Sequence, residues 1–165
     1  MKDNQYEIFP IVDEEGHFKG TTSRGHAHDG CKLLHPVVHL HLFNNKGELY
    51  LQKRPKWKDI QPGKWDTACG GHVDIGESVQ QALHREVSEE LGVKDFQAIP
   101  MGHYVFESKR EKELVNVFRC VYGGEVNPSK DELSGGKFWS REEILANIGK
   151  GVFTPNFESE YQKYF

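Results

Sequence analysis

The densest constraint in the chain lies between residues 71 and 93: Gly71, five residues, Glu77, seven residues, then Arg85-Glu86-Val87-Ser88-Glu89-Glu90-Leu91-Gly92-Val93. Ser78 and Gln81 have the spacing of a capping box, and Gly92 can take the left-handed conformation that ends a helix, so a helix is predicted over 78–91. Val79, Ala82, Leu83 and Val87 recur at helical period and form an apolar stripe for burial against a sheet. Glu86, Glu89 and Glu90 fall at i, i+3 and i+4 and share another face. Each like-charged pair costs a bare helix roughly a few tenths of a kcal/mol. An ordinary solvated acidic helix is the bland reading. A hard, oxygen-seeking cation such as magnesium or manganese that offsets the repulsion is the alternative reading. Arg85 is within reach of Glu77 or Glu89 and would orient the carboxylates.

The rest of the chain reads mainly as strands. Residues 6–12 and 17–21 flank Asp13-Glu14-Glu15-Gly16 as an N-terminal β-hairpin. A polar segment over 23–34, with room for one helical turn, leads to strands at 37–43 and 48–52. A loop over 55–64 and a short strand at 65–72 come before the helix. Further strands are predicted at 96–106, 114–122 and 136–139. Ser140 with Glu143 caps a second helix, and Thr154-Pro155 starts a last one over 157–164. Strands interrupted by three helices indicate an α/β domain with a helix on each side of a sheet. We expect residues 1–165 to form a single domain, since this length buries an independent core.

Several function classes are disfavoured. The net charge of −4 argues against a general nucleic-acid or anionic-membrane binder. No apolar run approaches the roughly 18 residues of a membrane span. The polar start Met1-Lys2-Asp3-Asn4-Gln5 lacks a signal-peptide core, so a cytoplasmic location is expected. Cys31, Cys69 and Cys120 form no C-x-x-C pair, which argues against a cysteine zinc site or disulfide framework. The oligomeric state is left open, a homodimer included.

Residues 71–93 fill every specified position of the Nudix box, so the chain resembles the Nudix hydrolase family. The resemblance implies an α/β/α sandwich with a mixed central sheet. It also implies metal-dependent cleavage of a diphosphate linkage in a small organic diphosphate or nucleoside diphosphate derivative. Matched by position, Glu86, Glu89 and Glu90 would bind Mg2+ or Mn2+, joined by the Gly71 carbonyl, while Arg85 and Glu77 would orient them.

Outside the box, His28, His35, His72, Glu111 and Glu113 offer ligand chemistry from three segments. Spacing alone reads them as solvated side chains. As a set, however, they are similar to the histidine and E-x-E pattern of type I isopentenyl diphosphate isomerases, relatives within the Nudix fold. This second resemblance implies another metal site, for Zn2+ or Mn2+, and a diphosphate-binding role for Arg54, Lys58 and Arg24. Two departures favour a hydrolase. Gly70 stands where those isomerases carry a catalytic cysteine, and Cys69, one position earlier, is expected to face away as a packed apolar side chain. This chain also keeps Arg85, Glu86 and Glu89, which the isomerases have largely lost. The alternatives are an isopentenyl diphosphate isomerase using Glu113 and a cysteine, and a non-catalytic ligand-binding module. His39 and His41 share one strand face, either lining a substrate cleft or standing partly exposed.

Overall fold

The computed structural model describes residues 8–23, 33–56, 62–109, 111–129 and 135–165. Ile8–Val12 (β1) and Phe18–Ser23 (β2) pair as the antiparallel hairpin. Asp13 closes the turn by accepting from the Glu15 and His17 backbone N–H groups. The main sheet is built on Leu34–Phe43 (β3), a ten-residue strand buried along most of its length. On one side β3 pairs antiparallel with Leu49–Lys53 (β4) and, further along, with Cys69–His72 (β6). On its other side it runs parallel to Lys112–Val121 (β8). Trp65–Asp66 (β5) and Gly136–Trp139 (β9) pair with β4, and Ile99–Glu107 (β7) closes the far edge against β8. Among the described residues, one parallel pair beside antiparallel ones makes this seven-stranded sheet mixed.

Side-chain alternation along the central strands gives the sheet two buried faces. Val38, Leu40, Leu42 and Tyr50 face the helix Val79–Leu91 (α1), packing on Ala82, Leu83, Val87 and Leu91. Leu49 and Leu51 face the other way, onto Ile144 of Arg141–Asn147 (α2) and Phe157 and Tyr161 of Pro155–Tyr164 (α3). Helices thus cover both faces, the α/β sandwich expected. Among the described residues the three helix starts are capped as their sequences indicate: capping boxes at Ser78 and Ser140, and Thr154 before Pro155. Gly92 ends α1 at φ 66°, a left-handed conformation that glycine adopts without steric cost.

Some expected strands differ. The one expected at 37–43 begins at Leu34, because Leu34–Pro36 already pair with Lys112–Leu114, so His35 lies within β3. The single strand at 65–72 is two, because β5 pairs with β4 while β6 pairs with β3. The change of partner needs a break, and Thr67 turns there with its N–H donating to Asp66. The strand expected from residue 96 starts at Ile99, since Phe96 stacks instead on His84 of α1 at 4.5 Å.

Candidate functional site

Strand β6 divides the site. Its register places Cys69 and Gly71 opposite Leu40 and Val38, on the α1 side, and Gly70 and His72 opposite His39 and Val37, on the other.

On the α1 side, Arg85 is the hub. Its guanidinium donates to both oxygens of Glu77 at 2.7 and 3.0 Å, to Glu86 at 2.8 Å and to the His72 carbonyl at 3.0 Å. Glu89 and Asp74 stand at 3.6 and 3.3 Å from it. The hydrogen bonds from Arg85 hold the Glu77 carboxyl below its ordinary range. The partnership in turn makes the guanidinium still harder to deprotonate. A guanidinium presents several N–H groups in a planar fork, so one side chain can hold two carboxylates and a strand carbonyl in fixed relation.

The three box glutamates are not equivalent, although their spacing puts them on one helix face. Glu89 is 61% exposed, Glu86 lies half-buried, and Glu90 is 8% exposed. Glu86 packs over Gly71 so closely that any Cβ at position 71 would overlap its carboxyl group. The absence of a side chain there makes a cradle in which a carboxylate meets strand backbone. That oxygen-rich setting suits a hard cation. Glu90 accepts a hydrogen bond from the Cys69 thiol at 2.7 Å. The expectation for Cys69 is corrected in this respect. It is buried and faces the α1 side as the alternation requires, yet its thiol is spent on a box carboxylate rather than on apolar packing alone.

On the other face, His35, His72 and Glu113 bring one ligand atom each within 4.8 Å of one another. Register accounts for this, because His35 lies beside Glu113 in the β3–β8 pair and Val37 beside His72 in the β3–β6 pair. The His35 Nδ1 faces the Leu33 carbonyl at 3.2 Å, which turns Nε2 toward Glu113, 3.6 Å away. Burial disfavours a charged His35, but Glu113 and the backbone contact outweigh it and raise its pKa. A position that draws a proton against burial also suits a metal cation. Glu111 is buried in the turn before β8 rather than within the strand, and its charge also acts on His35. Phe9 of the hairpin stacks on His72 at 4.2 Å and lies near His35 at 5.6 Å, a site wall the sequence reading had not found. Of the basic residues, Arg54 lies 3.5 Å from Asp66. His28, Lys58 and Arg24 lie outside the described residues.

Deeper on this face, His39 and His41 converge on Glu160 of α3 at 2.6 and 2.9 Å, and the Tyr104 hydroxyl donates to the same carboxylate. Of the two, the buried His41 departs from the partly exposed reading, whereas His39 keeps a small opening. His41 is fully buried and His39 is 12% exposed. Burial alone would lower the His39 pKa, but the charge and hydrogen bond of Glu160 raise it to about 9. Burial would raise Glu160, but the two histidines hold it well below the carboxylate range. Glu160 went unnoticed in the sequence because 119 and 121 residues separate it from its partners.

Comparison with known proteins bears on the family and the fold. The NUDIX domain family matches residues 33–157. The Nudix hydrolase YfcD of Shigella flexneri is 32% identical over 150 residues, covering 91% of this chain and 82% of that protein. The isopentenyl-diphosphate Delta-isomerase of Mycolicibacterium vanbaalenii is 31% identical over 154 residues, 88% of this chain and 85% of its own length. Among solved structures, DR0079 from Deinococcus radiodurans superposes with a TM-score of 0.82 at 23% identity, covering 96% of this chain and 99% of that one, a likeness of fold.

Proposed function

The chain belongs to the Nudix family and is a hydrolase of phosphoric anhydride bonds, and on that premise we propose how its residues divide the work. The substrate class follows from the family: a small phosphate-containing molecule, here read as an organic or nucleoside diphosphate derivative. Glu86, Glu89 and Glu90 are the carboxylates for Mg2+ or Mn2+, with the Gly71 carbonyl beside them. When bound there, the cation supplies phosphate charge neutralisation and water activation. Arg85 and Glu77 fix the carboxylates, and the Cys69 thiol orients Glu90. His35, His72 and Glu113, with Glu111 and His28, are read as a second site for Zn2+ or Mn2+. Arg54, Lys58 and Arg24 are read as diphosphate contacts. The observation that carries the reading is the Arg85 hub, which fastens Glu77 and Glu86, with Glu86 seated over the Gly71 backbone.

Similarity to an isomerase makes a second reading worth testing, and the β6 register weighs against it. Double-bond isomerisation needs a proton donor and acceptor across the double bond. Gly70 offers no thiol on the histidine face, and Cys69 points to the other side. The test is a magnesium- and manganese-dependent screen of diphosphate compounds for phosphate or pyrophosphate release, with isopentenyl diphosphate assayed for conversion to its dimethylallyl isomer. Hydrolysis that falls roughly 100-fold or more in Glu90→Gln, with the fold retained, is the expected result. Near-normal turnover in that variant would remove the carboxylate helix from the mechanism. Robust isomerisation abolished by Cys69→Ser would promote the isomerase.

A further inference from the structure

We propose that His39 is a substrate-binding residue, its Nε2–H donating to a phosphoryl oxygen of the bound diphosphate, with Glu160 as its positioning residue. This rests on the hydrolase reading above and adds a contact that neither the Nudix box nor the His35–His72–Glu113 cluster contains.

The argument starts from what His39 has already spent. Its Nδ1 is committed to Glu160 at 2.6 Å, which fixes the ring plane. Among the described residues Nε2 has no protein partner, and the side chain keeps 12% of its surface open. A polar nitrogen on the inner face of a sheet, aimed by a buried carboxylate and left unused, is prepared for something other than protein. The carboxylate is itself over-determined: His41 and Tyr104 hold it from β3 and β7, so neither it nor His39 can turn away cheaply.

Gly70 supplies the access. It pairs with His39 in the β3–β6 register, and a Cβ there would come within 3.3 Å of the ring's Cδ2 and 3.7 Å of Nε2. Glycine leaves that edge of the imidazole uncovered, one residue from Gly71 and two from His72. The proposed contact therefore lies on the same sheet face as the His35–His72–Glu113 cluster, where a diphosphate held by that cluster would meet it.

Charge selects the ligand. With its pKa raised to about 9, His39 carries a proton on each nitrogen at neutral pH, so Nε2 is a charged donor. A charged donor forms roughly twice as strong a hydrogen bond with a charged acceptor as a neutral pair would. The charged acceptors of a phosphoric anhydride are its phosphoryl oxygens.

The experiment is calorimetric titration with inorganic pyrophosphate in the presence of magnesium, on wild type, His39→Asn and Glu160→Gln, with inorganic phosphate as a parallel probe. Asparagine keeps a donor near the Nδ1 position and deletes the Nε2 edge. Pyrophosphate affinity should fall roughly tenfold in His39→Asn, titrated well below the lowered melting temperature that loss of the His39–Glu160 ion pair brings, in line with loss of one charge-assisted bond. In hydrolysis the loss should fall mainly on KM. Glu160→Gln, which frees the ring, should weaken pyrophosphate binding as well. If either variant unfolds, the wild-type imidazole nitrogen spectrum decides. The His39 Nε2 resonance, identified through its contact with Gly70, should move on adding pyrophosphate.

Wild-type affinity in a folded His39→Asn, or an unmoved Nε2 signal at saturating pyrophosphate, would overturn the assignment. So would wild-type protein that binds phosphate and pyrophosphate equally, because a diphosphate site must tell them apart. None of these outcomes touches the carboxylate helix, whose own test is Glu90→Gln.

Discussion

Gly71 shows how little the identity of a residue reveals until its neighbours are placed. Its importance lies in what it lacks, since the Glu86 carboxyl occupies the space a side chain would need. Gly71→Ala should therefore displace Glu86 without disturbing the core behind it. A misplacement of about 1 Å in a catalytic group costs on the order of 100-fold in rate. We expect turnover to drop by about that factor while the thermal melt moves little, measured by steady-state kinetics beside a melting curve. The box spacing made this glycine legible in the sequence, but not the reason for it. Cys69 was legible only in part: strand alternation gave its direction, whereas the partner waiting there, Glu90, became visible only once α1 was docked. His39 and His41 were legible as a pair on one face. Their shared acid was not, because no local pattern links β3 to a helix more than a hundred residues later.

Among the elements, α1 is the one the sequence described most fully. Its caps, apolar stripe and acidic face are all local, each built from steps of three or four residues. The strands were less legible at their ends. Pairing partners decide where a strand stops, and no pattern in residues 65–72 announces that one half joins β4 and the other β3. The helix also holds a conflict, since Glu86, Glu89 and Glu90 repel one another, and Arg85 pairs with Glu86 and Glu89. A cation bound by the native state alone relieves that conflict and stabilises by mass action. Millimolar magnesium or manganese should raise the melting temperature, by the equivalent of about 2.7 kcal/mol at a hundredfold excess over Kd. Glu86→Gln should blunt the rise. A melt that ignores saturating metal would argue against a site formed before substrate arrives.

At the scale of the whole molecule, the Glu160 network ties α3 to the sheet and gives stability a pH dependence that can be signed in advance. Burial opposes the charged form of His39, but Glu160 lifts its pKa from 6.5 to about 9. That contribution is complete below about pH 6.5 and is lost as pH rises through about 9. Glu160 lies below its ordinary 4.5, so its contribution is complete above that value and is lost on acidification. Asp66, Glu113 and Tyr104 also face this cluster, and the two carboxylates act on His39 in the same direction as Glu160. Thermal melts should thus show a decline from pH 6.5 to pH 9 that Glu160→Gln flattens; an equal decline in both proteins would place its origin elsewhere. The fold carries a further consequence in the alternation of β6, where Cys69 and Gly71 serve one side of the sheet and Gly70 and His72 the other. Parity, not identity, keeps the two chemistries apart. One residue inserted or deleted in the short bridge of Thr67 and Ala68 would send the thiol and the bare backbone to the histidines, and the imidazole to the carboxylates. Point substitutions wear such a site down gradually, whereas a change of one in spacer length would exchange its halves at a stroke. In this lineage the gap between β5 and β6 should therefore tolerate many residues and only one count.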